Sequence, residues 1–153
     1  MYKRQEAARI RQEFWTTFGR YMSPVPSFSD EPVNWVNYKT GEKFIFIRKD
    51  QSGKKAYIGL ELQHPDEGMR ALYFEQLVQL KNIFLASAGE GWIWEKDFTD
   101  ENGKKITRIY KEVEGYSMFN KEHWPELIRF FKENMILLDE FWSQAKYSFE
   151  ALR

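Results

Sequence analysis

The chain has no cysteine among its 153 residues. Disulfides, thiolate metal sites and thiol nucleophiles are therefore excluded, a usage that suits a reducing compartment. It has no net charge either, with 23 basic residues against 23 acidic ones. Proteins that hold nucleic acid usually carry a basic excess, because affinity comes largely from neutralising phosphates. The balance lowers the expectation of a nucleic-acid binder unless a local patch exists. No apolar run approaches the roughly 18–20 residues that a bilayer span requires. The opening Tyr2-Lys3-Arg4-Gln5-Glu6 passes into a charged amphipathic pattern rather than the apolar core of an export signal. The expectation is a cytoplasmic protein without a membrane segment. Phosphate-cradling glycine loops, serine nucleophile elbows and dinucleotide fingerprints are missing as well. Gly89-Glu90-Gly91 reads only as a helix stop and a loop.

The excess is aromatic: 6 Trp, 8 Tyr and 13 Phe. Rings of this size fill a core with few residues or anchor an interface. Core use is the favoured reading here, with the surplus assigned to an interface. The length suits one domain, and no repeat, linker or low-complexity tract divides it, so residues 1–153 are expected to form a single domain.

Residues Lys3 to Met22 place Ala7, Ile10, Phe14, Phe18 and Met22 on one helical face. Ser23-Pro24-Val25-Pro26-Ser27 ends that helix. Three strands are expected next, Val33–Tyr38, Lys43–Arg48 and Lys55–Gln63, with turns at Gly41 and Gly53. The second is apolar on both faces and is placed centrally. In the third, Ile58, Leu60 and Leu62 share one face while Tyr57, Gly59, Glu61 and Gln63 share a partly wet one. Asp66 is a plausible N-cap for a helix over Glu67–Ala88. A hairpin follows, Trp92–Phe98 and Lys105–Val113, joined through Asn102-Gly103. From Trp124 to Arg153 apolar residues recur at alternating spacings of four and three, with Phe130, Leu137 and Phe141 as a second edge. A helix apolar on two sides must pack on two surfaces: the sheet, and either the N-terminal helix or a second copy of the chain in a homodimer. The N-terminal helix is favoured because it costs no association entropy. The fold class is α+β, in the order α-β-β-β-α-β-β-α, with a mainly antiparallel sheet packed by N-terminal, central and long C-terminal helices.

Chemistry-bearing groupings are sparse. Asp50, Glu61 and Gln63 follow the order of a restriction-endonuclease-like nuclease, in which two carboxylates hold Mg²⁺ and a lysine positions the attacking water. Glutamine stands where that lysine belongs, and Asp50 is expected in a tight turn. His64 lies at a strand-to-helix junction, where it either serves a site or satisfies the helix start. His123 reads as a helix-entry residue. The two histidines lack the i, i+4 partner or carboxylate cluster of a metal site, and no cofactor is expected outside the Mg²⁺ of the nuclease alternative. Trp92, Trp94, Lys96, Arg108 and Tyr110 could form an aromatic and basic sheet face that grips single-stranded nucleic acid. The competing reading is that Trp92 and Trp94 cover the core.

Several blocks resemble the domain of unknown function 4268 family. They are Glu13-Phe14-Trp15-Thr16-Thr17-Phe18-Gly19, Asn34-Trp35-Val36-Asn37-Tyr38-Lys39-Thr40-Gly41, Phe74-Glu75-Gln76-Leu77, Trp92-Ile93-Trp94-Glu95, Trp124-Pro125-Glu126 and Leu138-Asp139-Glu140-Phe141-Trp142. The resemblance implies a small bacterial α+β domain without an assigned activity, found alone or behind a nuclease-like domain. It assigns no functional residues. Together these readings favour a non-catalytic domain acting through a protein partner or as an accessory to nucleic-acid processing. A divergent nuclease and a small-ligand domain with an aromatic pocket near His64 and Trp94 are the alternatives.

Overall fold

The computed structural model describes residues 2–153. Four strands form one antiparallel sheet in the order β1-β2-β4-β3, with β1 at Ile45–Ser52, β2 at Lys55–Leu62, β3 at Ile93–Thr99 and β4 at Lys105–Glu114. Four helices accompany it: α1 at Arg4–Met22, α2 at Glu67–Gln79, α3 at Lys81–Ala88 and α4 at Trp124–Ala145. The α+β class and the antiparallel sheet agree with expectation, in the order α-β-β-α-α-β-β-α.

Strand register explains how the layers separate. Ile47, Leu60 and Ile109 pair across β1, β2 and β4, and Ile109 pairs with Trp94 of β3. Residues paired in this way point to the same face. That face also holds Ile45, Ala56, Ile58 and Leu62, which join Phe14 and Phe18 of α1, Tyr73 and Leu77 of α2, Phe84 of α3 and Phe131 to Trp142 of α4 in one core cluster. No residue of the opposite face of β1 or β2 belongs to that cluster. The helices therefore occupy one side of the sheet.

Helix α4 is the densest part of the core. Leu127, Phe131, Met135, Leu138, Phe141 and Trp142 are all buried. Phe131 meets Phe14 and Trp15 of α1, and Phe141 meets Phe84 of α3 edge-on at 4.9 Å. The helix thus packs on α3 as well as on α1 within the chain, with Phe130 and Leu137 of its second edge half-buried. At 22 residues and about 1.5 Å per residue, α4 is shorter than the Trp124–Arg153 span. Lys146–Leu152 tightens into a 3₁₀ helix, which sets Phe149 against Trp142 and Tyr73.

Three local expectations are corrected. Val33–Tyr38 is a loop and not a strand, because the Asn34 side chain accepts from the backbone N–H of Val36 and Asn37 and so turns the chain locally. The strand expected at the centre, β1, is an edge strand; its second apolar face reflects Phe46, which lies under the Arg48 guanidinium at 4.7 Å. The Glu67–Ala88 helix breaks at Leu80. Its first part lies over β2 and β4 while its second lies on α4, two directions that one straight helix cannot follow.

The 23–44 segment lies beside β1 and is anchored by a few polar bonds to α4 and to Lys49. Asp139 of α4, 2% exposed, accepts from the Phe28 N–H at 2.8 Å and from the Tyr38 hydroxyl at 2.5 Å. Burial, reinforced by that carboxylate, pushes the Tyr38 hydroxyl well above the usual phenol range. Trp142 donates to the Thr40 carbonyl at 2.9 Å. From the sheet side, the Lys49 ammonium donates to the carbonyls of Trp35 and Val36 and lies over the rings of Trp15 and Phe18. Burial pushes Lys49 down to about 8.

Two predictions follow from these clamps. Asp139→Ala leaves two donors unpaired and should cost about 3 kcal/mol in urea unfolding, with faster amide exchange across residues 25–40. Lys49 sets a pH dependence: between its folded midpoint of about 8 and its ordinary 10.5, the unfolded chain binds more protons than the folded one, so stability rises with pH. Tyrosine ionisation in the unfolded chain opposes this above about 10. Melts between pH 8 and 10 should show the rise in the native chain and a flatter profile in Lys49→Met.

Candidate functional site

The face of the sheet without helices carries a series of cross-strand rows. Phe46, Glu61, Arg108 and Glu95 form one; Arg48, Gly59, Tyr110 and Ile93 the next; Asp50, Tyr57 and Glu112 the third. Gly59 is a packing requirement here, since a Cβ there would lie 2.6 Å from the Ile109 carbonyl oxygen and 2.7 Å from Tyr110 Cβ. Its absence lets Tyr110 lie close against β2. Arg108 rests on two rings, with its guanidinium carbon 3.5 Å from the Phe98 centroid and 3.8 Å from that of Tyr110. Its Nε donates to Glu95 at 2.8 Å.

A groove of about 580 Å³ crosses this face, bounded by Arg11 and Ser52 at one end and by the Asp100–Lys104 hairpin at the other. That hairpin is held by Asp100, whose carboxylate accepts from the N–H groups of Asn102 and Lys104. Four basic and four acidic residues line the groove, so it is mixed in charge. Glu61 lies at its floor, 7% exposed. Its carboxylate accepts from Gln63 Nε2 at 2.8 Å, and Gln63 Oε1 accepts from the Lys104 ammonium at 3.0 Å. Among the described residues no ion pair reaches Glu61. Burial pushes its carboxyl above the usual carboxylate range, against the opposing pull of the Gln63 bond and of the Arg48 and Arg108 charges. Burial and the negative charges of Glu61 and Asp50 push the Tyr57 hydroxyl up to about 12.

The residues singled out from sequence are distributed unevenly over the fold. Asp50, Glu61, Gln63 and Arg108 all border the groove. Asp50 lies within β1 and not in the turn, which is tightened to Gly53-Lys54. It faces Tyr57, whereas Glu61 faces Phe46 four residues away, about 13 Å along the strand. Asp50 is also paired with Arg11 of α1. Asp50 and Glu61 therefore do not converge, and among the described residues no three metal-ligating side chains cluster. His64 Nδ1 accepts from the Asp66 N–H at 3.0 Å, its ring set between Phe44 and Tyr73. His123 Nδ1 accepts from the Ser117 N–H at 3.0 Å.

Trp92 donates to the Ala88 carbonyl and packs on Phe84; Trp94 packs on Phe74 and Phe84. Trp94 pairs with Ile109 on the core face, while Arg108 and Tyr110 point to the open face. The tryptophans and the Arg108–Tyr110 pair are consequently on opposite sides of the sheet. Arg48, Tyr57 and Lys104 were not singled out from sequence. The signal for Tyr57 was its alternation with Ile58 and Leu60, and for Arg48 its place two residues from Phe46; nothing local points to Lys104.

A family model for a domain of unknown function (DUF4268) matches residues 10–146, and the chain belongs to that family. Comparison with curated proteins and with solved structures finds no match. No helix among the described residues is long and apolar enough to cross a membrane.

Ionised Glu61 makes the groove costly to the folded state. Its folded carboxyl holds a proton more tightly than the unfolded one, so its favourable contribution is present only at acid pH and is lost as pH rises through the folded midpoint. Glu61→Gln keeps an acceptor for Gln63 and removes the charge. It should stabilise the domain by roughly 0.5–2 kcal/mol at pH 7, with the gain shrinking toward pH 4 in parallel denaturant titrations.

Proposed function

We propose that this DUF4268 domain is a non-catalytic protein-interaction domain whose recognition surface is the helix-free face of its sheet. The carrying observation is the mixed-charge groove over Tyr57 and two ring-stacked arginines, with a buried carboxylate at its floor. Tyrosine and arginine are the residue types that carry binding energy in protein interfaces, because each offers a large apolar surface with a polar end. Equal numbers of both signs favour a polypeptide with charges of its own over a polyanion. The stabilisation forgone by burying Glu61 returns when a ligand brings a hydrogen-bond donor to it. A binding role is also supported by how the reactive side chains are used. Asp50, His64 and His123 each make a bond that holds local structure.

Retention from host lysate on the immobilised domain tests this reading, with nuclease-treated and untreated lysates compared. A polypeptide should be retained in both, and at least tenfold less on Arg48→Glu or Tyr57→Ala domains that melt as the native one does. Retention that requires intact nucleic acid, or that ignores both substitutions, contradicts it.

A further inference from the structure

A second surface lies between the first half of α4 and the outer side of α1. On α1, Arg9, Gln12, Glu13, Thr16, Thr17 and Arg20 share one face, each lying three or four residues from a member on the next turn, and the strip continues to Tyr21. On α4 the facing strip runs through Trp124, Ile128 and Lys132, with Pro125, Arg129 and Glu133 beside it. Two cavities of about 560 and 390 Å³ lie side by side along these strips, with Thr17, Lys121 and Trp124 in the walls of both. From Arg9 to Tyr21 the strip is about 18 Å long at 1.5 Å per residue.

The floor and the rim of this groove differ in chemistry. Trp124, Pro125 and Ile128 supply an apolar floor. Trp124 is fixed there by donating from Nε1 to the Met118 carbonyl at 2.6 Å and by its edge-on contact with Phe14 at 5.4 Å. Tyr21 stands 60% exposed beside it. Arg9, Arg20, Lys121, Arg129 and Lys132 line the groove against Glu13 and Glu133; Lys121 also pairs with Glu13 and Arg129 with Glu126, both at 3.7 Å and largely exposed. In a chain with no net charge, this is a local basic excess.

We infer that the groove docks an acidic amphipathic helix of roughly three turns from a partner protein. Two neighbouring helices with facing i, i+3/i+4 strips offer a third helix the groove that this mode of recognition uses. An apolar stripe would cover Trp124, Pro125 and Ile128, and flanking carboxylates would meet Arg20, Lys121, Arg129 and Lys132. A nucleic-acid strand would use the cations but leave the aliphatic part of the floor without a partner, so the helix fits both halves of the site.

The test is a titration of the ¹⁵N-labelled domain with three probes. One is a 15-residue peptide of leucine and glutamate with the leucines in helical register. The second has the same composition with the leucines scattered around the helix, and the third is a single-stranded oligodeoxynucleotide of equal net charge. The registered peptide should bind saturably, at least tenfold tighter than either control, with shifts confined to α1 and the start of α4. Arg129→Glu/Lys132→Glu should weaken it at least tenfold. Arg20→Glu, on the other wall, should weaken it independently, whereas Arg48→Glu on the sheet should leave it unchanged. Equal binding of the scrambled peptide, tighter binding of the oligonucleotide, or no saturation at millimolar peptide would overturn the inference. None of these outcomes bears on the sheet face.

Discussion

Helix α4 has to be covered on several sides at once, and that requirement arranges most of the molecule. Its buried set runs from Leu127 to Ala145 and is too wide for a sheet alone to cover. The sheet takes one side, Phe14 and Phe18 of α1 another, and Phe84 of α3 a third. Burial of large rings at tens of calories per square ångström is the dominant favourable term in such a core. The aromatic excess is largely spent here, in a chain of edge-on contacts from Phe14 through Phe131 and from Phe84 to Phe141. Because every helix is drawn to this one centre, none remains to cover the far side of the sheet.

As an edge strand, β1 has backbone groups on its outer side that another chain could pair with. The 23–44 segment runs beside it and meets one of them, the Ile45 carbonyl, through Thr40 Oγ1. It is held from the helical side by Asp139 and Trp142 and from the sheet side by Lys49. Gln51, 1% exposed, plays a parallel part near the β1–β2 turn. It donates to the carbonyls of Gly53 and Tyr116 and accepts from the Met118 N–H. These buried polar groups fix loops whose apolar content alone would not specify a path.

Periodicity made the helices and the two hairpins legible, since Phe14, Phe18 and Met22 or Ile58, Leu60 and Leu62 declare their faces directly. It did not reveal that Val33–Tyr38 is a loop, because the deciding interaction is the Asn34 side chain turning back on its own backbone. Nor did it reveal strand order: Phe46 makes β1 look buried on both faces when a neighbouring arginine supplies the cover. The groove was half legible. Glu61 and Gln63 were visible as a wet strand face, but Lys104 reaches Gln63 across 41 positions of sequence. Arg108 and Tyr110 were visible as a pair, while their separation from Trp94 depends on cross-strand register and the bulge between Glu95 and Phe98.

An exposed sheet face alone carries no functional argument; the carboxylate buried within it is the observation on which the proposed recognition surface rests. Because burial holds its carboxyl above the usual range, ionised Glu61 is expected to cost the free domain stability, as a group kept for binding would. The most direct measurement is a pH titration of the Glu61 side-chain carboxyl by ¹³C resonance. A midpoint clearly above the ordinary glutamate value is predicted, and a midpoint at or below that value would contradict the account.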